Sequence, residues 1–288
     1  MIQGSDWGGS RLACAQTCKQ KYYNKYVREA SDGKPGIVRL EDGYAASKGT
    51  LLHTFLQDYY NRLIAEPKGD KREFGVLAIK TMLDDIPKFN LPENKAPFIS
   101  DEVIAAADQY LTHYANDMLV PLETEVTVQV PVPDPNGEVH IHTGIIDLLG
   151  EWNGAPFIID HKTTSKTFAS LFQGYVHNLS FKGYCKSAEV NHGKQVGVLI
   201  NAIRFKNNKD LEVEFEREPY MYNAKDLEDF DRTVISVKRE IQACEADGFW
   251  PKSGEQCVQP WGTCEYFPLC KFDDPAMANA LYKPGRRT

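Results

Sequence analysis

Two apolar runs in this chain each close on an aspartate: Ile145-Ile146-Asp147, and Phe157-Ile158-Ile159-Asp160, with Lys162 two residues further on. Buried strands seldom end in charge without a purpose, because a carboxylate gives up its hydration when it is buried. Two carboxylates brought side by side repel each other, and a divalent cation relieves that repulsion. Hard Mg²⁺ or Mn²⁺ prefers oxygen ligands. Successive odd or even residues of a strand share a face, so Asp160 and Lys162 point the same way. An ammonium there can orient or help deprotonate a water, and it can balance the charge of a phosphate. Cation, water and lysine together are the machinery for in-line attack on a phosphodiester. A bare D-x-K triplet is usually a surface ion pair. Here the apolar run before Asp160 and the second carboxylate one hairpin earlier carry the reading.

The elements that must position these groups can be read from periodicity. Residues 10–28 read as a helix with Ser10 as N-cap. Residues 47–65 read as a second, with Leu52, Phe55, Leu56 and Tyr59 at helical spacing. Residues 73–87 and 99–118 make two more, the latter opening on the capping pattern "SDEV". The period then changes. "ETEVTVQVPVP" alternates and is rich in valine, which makes 123–133 a strand. "DPNGE" turns it into a return strand at 138–149, and "NGA" at 153–155 turns again into a third strand at 156–161. A helix over 167–188, strands at 195–205 and 211–218, and an amphipathic helix over 223–244 follow. Leu227, Phe230, Val234, Val237, Ile241 and Cys244 lie on one face of that last helix. A cysteine-bearing loop and a polar tail close the chain. The order implies an α/β fold with N-terminal helical decoration.

With 288 residues, 42% hydrophobic and 25% charged, the chain is long enough for a sizeable core and has ordinary globular composition. No apolar run is long enough for a membrane span, and "MIQGSDWGGSRLAC" has no signal-peptide core. A cytoplasmic location is the default expectation, and it disfavours a disulfide framework for the seven cysteines. A net charge of −7 argues against a general nucleic-acid coat protein but leaves room for a local basic groove.

"GIIDLL…FIIDHKTTSK" resembles the core of the PD-(D/E)XK nucleases, in their RecB-like exonuclease branch, where the pattern is G-h-h-D, a hairpin, then h-h-D-x-K-T. Gly144, Asp147, Asp160, Lys162 and Thr163 match. The resemblance implies a restriction-endonuclease-like core, a mixed central sheet flanked by helices. It makes Asp147 and Asp160 metal ligands, the carbonyl of His161 a backbone ligand and Lys162 the catalytic lysine. "KGTLLHTFLQDYY" resembles the upstream G-x-x-x-H helix and makes His53 a further metal ligand. Downstream, Tyr184 falls at the tyrosine of the branch's Q-x-x-x-Y helix and is a catalytic candidate or a core residue. Ser180 stands where the glutamine is usual, and His177 follows Gln173 at the alternative spacing. On this pattern the whole chain, 1–288, is one nuclease domain: a mainly helical part at 10–120, the catalytic core at 121–220, a helix and cysteine loop at 221–272, and a tail at 273–288.

"CVQPWGTCEYFPLC" places Cys257, Cys264 and Cys270 in one loop as C-x6-C-x5-C, spacings wider than zinc-ribbon pairs. Three thiols so close argue for metal or cluster ligation. The branch supplies a fourth: its members carry an N-terminal cysteine that completes a [4Fe-4S] cluster, and Cys18 stands at the matching place, with Lys19 for the usual proline. Cys14 competes, one turn away on the same face. Tying residue 18 to residues 257–270 would staple nearly the whole chain. A zinc site or unligated thiols are the other readings. Cys185 and Cys244 read as small buried hydrophobes.

The resemblance implies DNA as partner, as single strands or duplex ends, and Mg²⁺ or Mn²⁺ as catalytic cofactor. Arg11, Lys19, Lys21, Lys25 and Arg28 interleave with Tyr22, Tyr23 and Tyr26, either as a stacking platform for a strand or as a solvated helix. Lys166 and Lys182 are expected beside Lys162, and "KPGRRT" reads as a disordered basic tail. The first function expected is therefore a metal-dependent DNA exonuclease with a stapling cluster. The competing classes are a non-catalytic DNA-binding or assembly subunit that keeps the fold, and a zinc-stabilised hydrolase.

Overall fold

Turn residues and apolar spacing dictate the sequence of elements. The computed structural model describes residues 8–193, 195–206, 210–259, 262–272 and 274–285. Its principal helices before the sheet are α1 (Gly9–Thr17), α2 (Tyr44–Ala65), α3 (Lys71–Asp84) and α4 (Ile99–His113). Strands β1 (Leu119–Pro133), β2 (Val139–Trp152) and β3 (Ala155–Thr164) follow. Next come helices α5 (Phe168–Gln173) and α6 (Leu179–His192), strands β4 (Gly197–Phe205) and β5 (Val213–Tyr220), and helices α7 (Ala224–Asp247) and α8 (Phe267–Phe272).

The five strands form one mixed sheet in the order β1-β2-β3-β4-β5. β2 and β3 are antiparallel, joined by the two-residue turn Asn153-Gly154, both with positive φ (52° and 79°) as a tight hairpin of matching twist requires. β3 and β4 are parallel. A parallel neighbour needs a crossover, and α5 and α6 supply it. β3 is therefore central, and Ile158, Ile159, Asp160 and His161 are all buried.

The chain divides into two compact units: Asp42–Val128 with Ile145–Asn223, and Met1–Glu41 with Gln129–Gly144 and Ala224–Thr288. The first unit buries Leu51, Phe55 and Leu56 of α2 and Val103 and Tyr110 of α4 with Leu148, Ile159, Leu199 and Ile203 of the sheet. Each such side chain contributes about 1.5–3 kcal/mol relative to exposure. In the second unit Leu227, Phe230, Val234 and Ile241 of α7 are buried, and Ala30, Ile37, Tyr266, Leu269 and Tyr282 form a separate cluster.

Several expected boundaries shift. The helix expected over 10–28 breaks at Cys18, whose backbone is extended (φ −163°, ψ 119°). Its N-cap is Gly8, not Ser10. A short helix resumes at Lys19–Tyr22 and continues as a wider turn at Tyr23–Val27. The helix expected over 167–188 is two, each with its own cap: Thr167 Oγ1 accepts from Ser170 N–H and Asn178 Oδ1 from Phe181 N–H. α4 ends at His113 and begins after Phe98 without a side-chain cap. Part of the expected disordered tail is ordered, because Tyr282–Pro284 pairs with Ile37–Arg39; residues 286–288 lie outside the described residues.

Gly150 sits where β2 lies close against its neighbours. A Cβ there would lie 2.8 Å from the Val120 carbonyl oxygen and 3.2 Å from Ile159 Cδ1. Gly150→Ala is expected to destabilise the protein by about 1–3 kcal/mol, the range for overpacking, as a lower urea midpoint at unchanged slope.

Candidate active site

The site is assembled by α2, β2 and β3 within one unit. Gly49 and His53 are one helical turn apart on the same face of α2. A Cβ on Gly49 would lie 2.9 Å from Thr163 Oγ1, so the missing side chain lets α2 approach β3. His53 then reaches the strand: its Nε2 donates to the His161 carbonyl at 2.8 Å, and its Nδ1 lies 3.6 Å from Asp147 Oδ2. A carbonyl only accepts, so the Nε2 must carry the proton in this bond.

The β2–β3 register, with Leu148 opposite Ile159, brings Asp147 next to Asp160. The backbone N–H of His161 donates to Asp147 Oδ2 at 2.8 Å. Asp160 is 6% exposed, and its Oδ2 makes an ion pair with Lys162 but no aligned hydrogen bond. Burial pushes the Asp160 carboxyl up, the Lys162 ammonium pulls it down and Asp147 pushes it up again; the net direction is upward. Burial alone would lower the Lys162 amine, but Asp160 and then Asp147 outweigh it and the amine is raised. Lys162 is therefore a cation at neutral pH.

This donor set suits a hard cation: two carboxylates, a carbonyl oxygen and an imidazole. Among the described residues no group of three His, Cys, Asp or Glu side chains stands ready to hold a metal ion.

Other expected residues are placed differently. Tyr184 is buried, and its hydroxyl donates to the Ile145 carbonyl at 2.8 Å, bracing β2 two residues before Asp147. Lys166 is exposed, whereas Lys182 is 6% exposed with its amine over the Tyr222 ring. Tyr22 is fully buried, stacked near Trp250 and bonded to Arg11, whose guanidinium also lies over Tyr26. Those groups satisfy one another rather than forming an open stacking platform.

Two residues near the site escaped the sequence reading. The Tyr175 ring lies 5.9 Å from the Lys162 amine, in the turn between α5 and α6 that the single-helix expectation concealed. Glu125 has φ +53° within β1, a bulge-like conformation that re-aims a side chain. Partial burial and then Asp147 raise its carboxyl. The charged "ETE" inside an alternating run was its only signal.

In the other unit, Cys18, Cys257, Cys264 and Cys270 line one cavity of about 360 Å³, together with Lys21 and Lys252. The Ser253 N–H lies 3.5 Å from Cys18 Sγ. Cys14 does not line that cavity, and burial pushes its thiol up to about 11. Cys185 and Cys244 are buried elsewhere, as expected of small hydrophobes.

Residues 7–271 match the family model of the PD-(D/E)XK nuclease superfamily. The chain belongs to that superfamily. Its mixed sheet flanked by helices is the restriction-endonuclease-like fold of these nucleases. No curated protein matches the chain. Among solved structures it is similar to a candidate exonuclease from Eubacterium rectale, at 13% identity over 87% of this chain and 85% of that one, TM-score 0.50. It is also similar to SSO0001 (14%, 76% and 84%, TM-score 0.35) and to LHK-Exo in complex with dAMP (12%, 69% and 97%, TM-score 0.25). At 13% identity the likeness to the Eubacterium rectale protein is one of fold. No helix among the described residues is long and apolar enough to cross a membrane.

Tyr184→Phe keeps the buried ring and removes the bond to Ile145. The expected result is a stability loss of about 1 kcal/mol with little change in DNA cleavage. A cleavage loss above tenfold at unchanged stability would instead make the hydroxyl a catalytic group.

Proposed function

We propose that this superfamily member is a Mg²⁺- or Mn²⁺-dependent deoxyribonuclease working from DNA ends as an exonuclease. The observation that carries the proposal is the meeting of Asp147, Asp160 and the His161 backbone at one place, with the Lys162 ammonium against Asp160. Asp147, Asp160 and the His161 carbonyl would hold the ion, and His53 would join them by giving up its Nε2–H bond to that carbonyl. Bound there, a divalent cation supplies Lewis acidity toward a phosphodiester. Lys162, charged at neutral pH, faces the negative charge that gathers on the phosphoryl oxygens. Its part is electrostatic stabilisation rather than proton abstraction. Burial of Asp160 strengthens each of these interactions. Half-exposed Tyr175, beside Lys162, offers a ring to a base or sugar next to the scissile bond. A cytoplasmic location, single strands or duplex ends as substrate, and a single functional domain belong to the same proposal.

The cysteine cavity is proposed to hold a structural [4Fe-4S] cluster on Cys18, Cys257, Cys264 and Cys270. What supports it is that all four cysteines line one cavity. Lys21 and Lys252 stand at its wall, where they partly offset the burial that pushes the Cys264 and Cys270 thiols up. The chain break at Cys18 supports the choice over Cys14. It frees that residue from the helix and makes Lys19 the first residue of the next, a position that suits proline.

Digestion of end-labelled single- and double-stranded DNA with Mg²⁺ or Mn²⁺ tests the activity. Asp160→Ala and Lys162→Ala are each expected to slow cleavage by about 10²–10³-fold or more. Equal cleavage by wild type and both variants would leave the non-catalytic reading. For the cluster, anaerobically purified Cys18→Ser is expected to lose iron while Cys14→Ser keeps it; retained iron in Cys18→Ser reverses the assignment.

A further inference from the structure

His161 occupies the middle position of the D-x-K triplet, and its backbone holds two site residues at once. Its N–H donates to Asp147 and its carbonyl accepts from His53, both at 2.8 Å. The orientation of this one peptide therefore fixes the spacing of the proposed cation donors. Its side chain points away from Asp160 and Lys162, to the opposite face of β3. There it is 3% exposed and enters a buried polar chain that the proposed chemistry does not use.

From Arg217 to His161 that chain has only one consistent set of hydrogen bonds. Arg217 on β5 pairs with Asp117 through both terminal nitrogens, at 2.8 and 2.6 Å. Its Nε lies 3.1 Å from Asn201 Oδ1 on β4. A guanidinium only donates, so the Asn201 oxygen must face Arg217 and the Asn201 amide nitrogen must face the other way. That nitrogen lies 2.9 Å from His161 Nδ1 and 2.9 Å from the Tyr110 hydroxyl. His161 Nδ1 is thus an acceptor, and its tautomer is set. The Tyr110 and Tyr60 hydroxyls share a hydrogen bond at 2.6 Å. The Tyr60 ring stacks on the His161 imidazole, with centroids 5.8 Å apart and planes 1° from parallel. Asn201 is 0%, Tyr110 1% and Tyr60 3% exposed. A hydrogen-bonded network in so dry a place is rigid, and removing one member leaves others unpaired.

We propose that the Asp117–Arg217–Asn201 chain positions His161, and that it thereby sets the affinity of the site for a divalent cation. Asn201 and Arg217 are positioning residues: they act through the His161 peptide without touching substrate or ion. The inference rests on the reading that Asp147 and Asp160 bind such a cation. Groups that orient ligands from behind typically change metal affinity 10–100-fold.

The test is calorimetric titration of the metal-free protein with Mn²⁺, without DNA, paired with thermal melting. Asn201→Leu and His161→Phe are each expected to raise the Mn²⁺ Kd about tenfold or more. The double variant should be no weaker than the weaker single one, because both break the same link. Arg217→Lys keeps the charge opposite Asp117 and loses the Nε donor; it carries the same expectation should Asn201→Leu not fold. Lowered melting temperatures with an unchanged Mn²⁺ Kd, or additive effects in the double variant, would overturn the proposal. Asp160→Ala is the control: wild-type Mn²⁺ binding in that variant would refute the cation site itself rather than the positioning role.

Discussion

The structure depends on one electrostatic constraint: two carboxylates held side by side on neighbouring strands, one of them buried. Asp147 and Asp160 would separate if the backbone allowed it, and it does not. The Asn153-Gly154 turn fixes the hairpin register, the His161 N–H bonds to Asp147, and the Tyr184 hydroxyl braces β2 at Ile145. Lys162 neutralises part of the charge, and the Asp160 carboxyl is still pushed upward, by burial first and Asp147 after it. A buried acid held against a second carboxylate is a common mark of a functional site.

Much of this was legible in the sequence because it is local. Strand period, the two turn signals and the D-x-K spacing depend on neighbouring residues, and they located β1 to β5 and the three charged side chains. The G-x-x-x-H pattern was legible only through the family resemblance; the physical use of its glycine, admitting Thr163 at close range, shows in the contact between α2 and β3. What was not legible depends on tertiary contact. The break at Cys18 has no glycine or proline to announce it. The turn between α5 and α6 lies in a stretch whose apolar spacing fits one continuous helix, and Tyr175 was lost with it. The aromatic and basic residues near the N-terminus looked like a binding surface until Tyr22 proved to be fully buried. Composition does not say which residues face each other.

The buried polar residues teach a related lesson. Asn201 and Arg217 sit in strands that read as ordinary, and nothing in their spacing distinguishes them. Their meaning appears only when hydrogen-bond donors and acceptors are followed across α4, β3, β4 and β5. The same sheet thus has two polar faces with different duties: acids and an ammonium on one, a neutral locking network on the other, joined by the His161 peptide.

The most direct test of the central claim is a crystal grown or soaked with Mn²⁺ and measured at the manganese absorption edge. The account predicts an anomalous peak bounded by the carboxylates of Asp147 and Asp160 and the carbonyl of His161, with the Lys162 amine alongside. No peak at that position, or manganese bound only elsewhere on the molecule, would contradict it.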